Sequence, residues 1–262
     1  MTIRELEIKY HINHRTIKKY IDKNAFPAYF NNNKWNIDEQ SFLDWHILYK
    51  KGLFNKVSWD RTYFDTIDTP NKAYWLGFIN ADGCVHKKSK YISIDISKRD
   101  EEHLVKFAKE LNGVPDKMIH NTIHSQTGNP LSHLYLCSNH VVKVFEELGI
   151  TEVKSGKEQY INTNFDKDFI RGMIDGDGCI RSDLSGIELV GSYQLLETVQ
   201  NKFLKYLNIK PNKIMEHGSI YKISYRSKVS IYKIVEWLYK DCSVSLLRKQ
   251  ELVNKILNEK IC

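Results

Sequence analysis

One nine-residue pattern is written twice in this chain, and few folds are open to a chain built around it. The first copy is Trp75-Leu76-Gly77-Phe78-Ile79-Asn80-Ala81-Asp82-Gly83, followed by Cys84-Val85. The second is Ile170-Arg171-Gly172-Met173-Ile174-Asp175-Gly176-Asp177-Gly178, followed by Cys179-Ile180. Each reads as the end of an apolar helix. Side chains four apart share a helix face, so Gly77 with Ala81, and Gly172 with Gly176, lay down two smooth stripes. Such stripes let two helix backbones approach more closely than ridge-and-groove packing of large side chains allows. Each helix then ends on an aspartate, Asp82 or Asp177, and on a glycine suited to a left-handed stop. The expectation is two helices side by side, with two carboxylates meeting at their carboxyl ends. Asn80 and Asp175, two residues earlier, fall on another face and are expected to be structural.

The repeat runs past the pattern itself. Asp82 and Asp177 lie 95 positions apart, and at that offset Val85 matches Ile180, Ile92 matches Ile187 and Ile94 matches Leu189. After one extra residue, Leu111-Asn112 matches Leu207-Asn208 and Lys117-Met118 matches Lys213-Ile214. Self-similarity at a fixed period marks copies of one structural unit. Each copy reads helix, strand, strand, helix, strand, strand, helix. Ile92, Ile94 and Ile96 alternate with Ser93, Asp95 and Ser97, and Ile187 and Leu189 alternate with Glu188 and Val190. Period-two patterning gives a sheet with one face on the helices and one open to solvent. The expected fold class is therefore α+β: a pseudo-twofold pair of αββαββα halves whose two antiparallel sheets form a saddle. On the open faces the reading places His86, Lys88, Ser93, Asp95, Ser97, Arg181, Asp183, Glu188, Lys222, Ser224 and Arg226. Mixed polar side chains are what reading base edges requires, and any solvated sheet face shows them too.

Both copies resemble the signature of the LAGLIDADG homing endonucleases, in the form that carries two motifs on one chain, and the resemblance covers residues 72–258. It implies a monomer with internal pseudo-twofold symmetry that lays double-stranded DNA on the saddle, with strands in the major groove. It also implies a sequence-specific endonuclease making a metal-dependent double-strand cut at a long target site. Asp82 and Asp177 match the family's metal-binding acids, with Mg²⁺ (or Mn²⁺) as the implied cofactor. Lys154, in Glu152-Val153-Lys154-Ser155, and Lys249, in Leu246-Leu247-Arg248-Lys249, resemble the catalytic lysines that follow each half. The chemistry is coherent. Phosphodiester hydrolysis needs an activated water, charge neutralisation at phosphorus and help for the leaving oxygen, and metal ions supply all three. Magnesium keeps several waters, so two carboxylates and the scissile phosphates suffice to hold it. Helix carboxyl ends add negative potential, and lysines stabilise developing charge.

The same signature occurs in inteins, RNA maturases and transcription regulators, so fold alone does not fix function. An intein is not expected, because the chain has no cysteine at its start and no His-Asn before Cys262. An RNA maturase and a non-cleaving DNA-binding regulator remain as alternatives. Loss of either acid would favour the regulator, and both acids are intact.

Ahead of the repeat, Thr2 and Glu5 form a capping box for a short helix with Ile3 and Leu6 on its buried side. Asn13 caps a second helix whose outward face carries Arg15, Lys18 and Lys19, suited to phosphates and groove edges. An asparagine-rich hairpin follows, then a helix capped by Asp38. This order resembles the winged helix-turn-helix of excisionase and MerR-type DNA-binding domains; a capping module without DNA contact is the competing reading. The expected organisation is this domain over 1–50, a linker over 51–71, a first half over 72–150, an inter-half linker over 151–165 and a second half over 166–262.

A net charge of +7 suits a polyanionic partner. Five cysteines with no C-x-x-C pair argue against a disulfide framework or zinc site and for a reducing, intracellular compartment. No membrane is expected, since no apolar run nears the roughly 20 residues of a bilayer span. No signal or transit peptide is seen in Met1-Thr2-Ile3-Arg4-Glu5-Leu6-Glu7. Cys84 and Cys179 read as small buried strand residues, and His120-x-x-x-His124 as a strand pair too far apart to share a metal.

Overall fold

Helices in the amino-terminal part begin where a short polar side chain can take up a free amide. Helix α1 (Ile3–Tyr10) starts at Thr2, whose hydroxyl accepts from the Glu5 amide at 3.3 Å while the Glu5 carboxylate accepts from the Thr2 amide at 2.9 Å. Helix α2 (His14–Ile21) starts at Asn13, whose side-chain oxygen accepts from the Arg15 amide at 2.8 Å. Strands β1 (Ala28–Asn31) and β2 (Lys34–Ile37) pair through a two-residue turn, Asn32-Asn33. Both turn residues have positive φ, 49° and 57°, the conformation that matches strand twist and that asparagine tolerates. Helix α3 (Glu39–Lys50) opens at Asp38, which accepts from the Ser41 amide. Ile3, Leu6, Ile17, Ile21, Phe26, Phe42 and Trp45 form one buried cluster beneath these elements.

The computed structural model describes residues 1–23, 25–50, 59–152, 156 and 158–258. The chain divides into two units, Met1–Val57 and Ser58–Cys262. In the second unit, Pro70 in the first turn and the Thr69 cap start α4 (Pro70–Asp82), with proline placed where its missing N–H costs nothing. There follow β3 (Gly83–His86), β4 (Tyr91–Ser97), α5 (Glu101–Glu110), the single-turn α6 (Pro115–Met118), β5 (Ile119–Ile123), β6 (Pro130–Cys137) and α7 (Asn139–Glu147). The order then recurs as α8 (Asp166–Gly176), β7 (Cys179–Ile180), β8 (Ile187–Gly191), α9 (Tyr193–Leu207), β9 (Met215–His217), β10 (Ile220–Tyr225) and α10 (Lys228–Tyr239), and α11 (Leu247–Asn258) is added.

Each half holds a four-stranded antiparallel sheet in one spatial order, β3-β4-β6-β5 in the first and β7-β8-β10-β9 in the second. The repeat extends to backbone detail: Asn112 and Asn208, matched in sequence, take left-handed conformations with φ 53° and 52°. The helix-facing sides of the sheets are apolar, with Ile92, Ile94, Leu134 and Leu136 in one half and Ile187, Leu189 and Ile223 in the other, all buried. The fold is the expected α+β pair of αββαββα halves.

Described residues of the two segments read as linkers, in 59–71 and 158–165, contribute buried side chains, while 51–58, 153–155 and 157 lie outside the described residues. Trp59, Tyr63 and Phe64 are buried. Phe64 packs edge-on to Phe107 and Phe145, and the Tyr63 hydroxyl donates to Glu110 at 2.6 Å. Between the halves, Ile161 is buried and the Tyr160 hydroxyl donates to Asp166 at 2.6 Å. Aromatic residues spaced too irregularly to show a period carry both segments, so sequence periodicity passed over them.

Candidate functional site

The small-residue stripes face one another, backbone on backbone. A Cβ placed on Gly77 would lie 2.1 Å from the Phe169 carbonyl oxygen, and one on Gly172 would lie 2.0 Å from that of Tyr74. Helices α4 and α8 therefore touch where no side chain fits between them. One turn further on, a Cβ on Gly176 would meet the Ala81 methyl at 2.5 Å and Asp82 Oδ2 at 3.3 Å. The Asp82 carboxylate thus lies over Gly176, the chain neighbour of Asp177. Asp82 is half-buried and Asp177 exposed.

The glycines after these acids serve a purpose other than the left-handed stop expected of them. Gly83 has φ −79° in extended backbone, and Gly178 is not among the glycines with positive φ. Close approach is the reason for both. A Cβ would lie 2.6 Å from the Ile79 carbonyl oxygen at Gly83 and 2.5 Å from that of Ile174 at Gly178.

A buried polar network ties the halves together behind the acids. Asp175, 1% exposed, accepts from the Tyr74 hydroxyl at 2.7 Å, the Tyr239 hydroxyl at 2.7 Å and the Leu246 amide at 2.8 Å. Burial pushes its carboxyl pKa up, against the opposing pull of Lys249 and these hydrogen bonds. His103 Nε2 stands 2.9 Å from the Tyr74 hydroxyl. That hydroxyl's proton goes to Asp175, so the imidazole donates to Tyr74. Desolvation takes the His103 pKa down to about 3. Arg171, fully buried, donates to the Val244 and Leu238 carbonyls and pairs with Asp168 at 2.8 Å. Asn80 donates to the Gln159 carbonyl at 3.2 Å. Tyr74 and Asp175 join the two helices directly, α4 to α8.

Lys249, matched by resemblance to a catalytic lysine, is enclosed at the end of α8. It is 2% exposed, and its Nζ lies 2.5 Å from the Ile174 carbonyl oxygen, 2.7 Å from Asp175, 3.2 Å from Gly176 and 2.7 Å from Gly178. An ammonium has three protons, so these four carbonyls at the end of α8 use its whole donor capacity. Burial is the leading cause of its pKa falling to about 8, while Asp175 and Asp82 pull the other way. Its reach toward the carboxylate pair is through its field and not through a free N–H. The signal was legible: Leu246, Lys249, Val253 and Ile256 form one helical stripe, and all four are buried. Lys154 lies outside the described residues.

Among the described residues no group of three or more His, Cys, Asp and Glu could hold a metal ion. The pair Asp82 and Asp177 nevertheless fits magnesium chemistry, which takes hard oxygen donors and leaves most positions to water and phosphate. Cys84 is half-buried, and Cys179 is exposed on the open face of β7, not buried as expected.

The open sheet faces carry the other candidates. On the first, His86 stacks on Tyr91 at 4.2 Å and meets Ser93 Oγ at 3.1 Å, so Ser93 is 4% exposed and does not face solvent. Asp95 accepts from His133 Nδ1 at 2.7 Å, Ser97 ends β4 half-buried, and Lys88 stands exposed in the β3–β4 turn instead of on the sheet. Sequence reading put His120 in a strand but left it, His133 and Tyr135 out of the open face, although Leu134 and Leu136 alternate with the last two. On the second face, Glu188 sits among Arg226, Lys222 and Arg181, with Nη2 of Arg226 at 2.5 Å and the others at 3.8 and 3.9 Å. Asp183 lies in the turn between β7 and β8, and Ser224 pairs in register with Glu188. In the separate amino-terminal unit, Arg15 and Lys19 are exposed, while Lys18 pairs with Asp22 and lies 4.6 Å over the Trp35 ring.

Residues 69–149 match the family model described as a LAGLIDADG-like domain. No curated protein sequence matches the chain. Among solved structures it is similar to full-length DUF199/WhiA from Thermotoga maritima, at 16% identity over 77% of this chain and 65% of that one, with a TM-score of 0.50. The chain thus spans just under two thirds of that protein's length, and the likeness is one of fold. It is also similar to the LAGLIDADG meganuclease I-AabMI bound to uncleaved DNA, at 11% identity over 72% of this chain and 90% of that one, with a TM-score of 0.46. A third is the I-LtrWI LAGLIDADG homing endonuclease bound to target DNA, at 12% identity over 75% and 90%, with a TM-score of 0.43.

Proposed function

With residues 69–149 a LAGLIDADG-like half and the following residues its structural repeat, we propose that this chain is a site-specific DNA endonuclease that cuts both strands of a long target. One observation carries the reading: the side-chain-free contact of α4 on α8 sets the Asp82 carboxylate over Gly176, the residue that precedes Asp177 in the chain. Two acids on two pseudo-symmetric halves, each at the end of its own helix, suit a duplex whose two strands are themselves related by a twofold. Asp82 and Asp177 would hold Mg²⁺ or Mn²⁺ between them, and the bound ion would supply charge neutralisation and an acidified water. The rest falls to the chain itself. The sheets present hydrogen-bonding side chains to the grooves, and Lys249 keeps the end of α8 in place while adding positive potential near Asp82. Duplex DNA is the partner, a single copy of the chain supplies both acids, and the amino-terminal unit adds a second DNA contact through Arg15, Lys18 and Lys19.

The alternative is a protein of the same fold that binds DNA or intron RNA without cutting it. What favours it is Lys249, whose protons are all taken by carbonyls. Incubating the protein with a randomised duplex library in Mg²⁺ and sequencing the ends separates the two. The nuclease reading expects one recurrent pair of ends, absent with EDTA and lost on Asp82→Asn or Asp177→Asn, with binding retained. Recurrent enrichment of one sequence without any cut would establish the non-cleaving alternative.

A further inference from the structure

The open face of the second sheet holds two arginines in an arrangement that a merely solvated surface would not need. Arg181 follows β7 and Arg226 follows β10, and their stems pass on either side of Gly186. A Cβ on Gly186 would lie 3.0 Å from Arg226 Cδ and 3.2 Å from Arg181 Cδ. The glycine therefore leaves the space through which two like-charged side chains run together. The Arg181 amide donates to the Gly186 carbonyl at 3.0 Å, and Arg181 Nε donates to Ser185 Oγ at 3.1 Å. Glu188 stands between the guanidinium groups, 2.5 Å from Arg226 Nη2 and 3.9 Å from Arg181 Nη1. Its side chain is 16% exposed, whereas those of Arg226 and Arg181 are 50% and 42% exposed. The carboxylate is seated in the sheet, and the two forks project from it.

We propose that Arg181 and Arg226, set side by side over Gly186 and buttressed by Glu188, form a guanine-reading pair, and that Glu188 is the residue that sets its selectivity. This rests on the reading of the open sheet face as a DNA surface. A guanidinium has five N–H donors in a fixed fork, and its bidentate match in the major groove is O6 and N7 of guanine. Glu188 takes one Nη of Arg226, whose side chain stays half exposed. Three positive charges, Lys222 being the third at 3.8 Å, meet two carboxylates here, since Asp183 Oδ1 lies 3.5 Å from Arg181 Nε; of the two, only Glu188 reaches all three cations. A free arginine settles on any phosphate, whereas one tethered to a carboxylate is held toward the groove floor, and the carboxylate repels a phosphate that tries to take its place. Glu188 is thus a positioning residue for base choice and not a contributor of affinity.

The experiment is a sequence-preference profile of the full-length protein on a randomised duplex, measured by binding in Ca²⁺ and by cutting in Mg²⁺, for the wild type, Glu188→Gln and Arg226→Lys. The wild type should prefer guanine at a few positions confined to one half-site. Glu188→Gln should lower that preference by about tenfold, the size of a good bidentate contact, while binding to unrelated duplex becomes tighter and more salt-dependent. Arg226→Lys keeps the charge and loses the fork, so it should relax the same positions without tighter non-specific binding. Glu188→Gln with the wild-type melting temperature and an unchanged profile would overturn the proposal. So would a loss of affinity spread evenly over every sequence. A wild type that binds no duplex would instead overturn the DNA reading on which the proposal stands.

Discussion

The two halves of the second unit share strand order, helix order and even a left-handed asparagine, yet their open sheet faces have little chemistry in common. The strands of the first sheet carry no lysine or arginine; its face is His86, Tyr91, His120, His133 and Tyr135 around Asp95. The second face carries Arg181 and Arg226 together beside Gly186 and Lys222 further along β10, with Glu188 between them. The contrast separates two kinds of constraint. Residues between sheet and helices must stay apolar and of fitting size, so they repeat. Residues on the open face are free of that demand and answer to whatever lies against them.

The sharpest way to break the equivalence of the halves is at their contact. Gly172→Ala puts a methyl 2.0 Å from one backbone oxygen and 2.8 Å from the Phe78 nitrogen. Overpacking of this kind costs about 3 kcal/mol or more, a fall in melting temperature of about 6–12 °C, and any cutting should be lost with it. Gly176→Ala meets side chains only, so it should cost less stability but displace Asp82, and calorimetry beside a cutting assay distinguishes the two. Unchanged melting of Gly172→Ala would mean the helices do not touch as described.

Next in size is the pair of buried bases, one from each half. Removing Lys249 as Lys249→Met leaves carbonyls at the end of α8 without a donor, at a cost of about 2 kcal/mol. Between pH about 8 and 10.5 the unfolded chain keeps a proton on this lysine that the folded chain has released. Wild-type stability should therefore gain from this group as pH rises through that window, and the variant should lack the gain. His103 in the first half behaves in the acid range. The unfolded chain takes up a proton there as pH falls below about 6.5, the folded chain only near 3, so stability should fall with acidity and His103→Gln should flatten the fall. Denaturant titrations at intervals of pH read both slopes. The smallest effect belongs to the open faces. Lys222→Ala should lower the log–log salt slope of DNA binding by about 0.9 if it meets a phosphate, while His120→Ala should leave the slope unchanged.

Much of this was legible in the sequence because the decisive residues are small or spaced by a period. Gly77, Ala81, Gly172 and Gly176 declare a close contact by what they lack, and alternation of isoleucine with polar residues declares a sheet. What stayed hidden depends on phase and on distance along the chain. Lys249 lies on a buried stripe, but nothing local says that the stripe ends beneath the carbonyls of a helix some seventy residues earlier. Trp59, Tyr63 and Phe64 have no periodic neighbours to mark them as core. Gly83 and Gly178 show that a residue type can be anticipated for the wrong reason, since crowding by the preceding turn and not a positive φ requires them.

The Asp175 network exists once, not twice. At the offset of 95 positions, Asp175 corresponds to Asn80, Tyr74 to Phe169 and Arg171 to Leu76. The Tyr74 hydroxyl of one half needs the Asp175 carboxylate of the other, whereas the reciprocal positions offer a phenyl ring and an amide. A homodimer of the first half would bring two tyrosines against two asparagines, with no carboxylate to receive them. A homodimer of the second would bury two aspartates and two arginines while losing the Tyr74 donor from each aspartate. The two halves are therefore not interchangeable: a chain made of two copies of either one would lack the hydrogen bond that joins Tyr74 to Asp175.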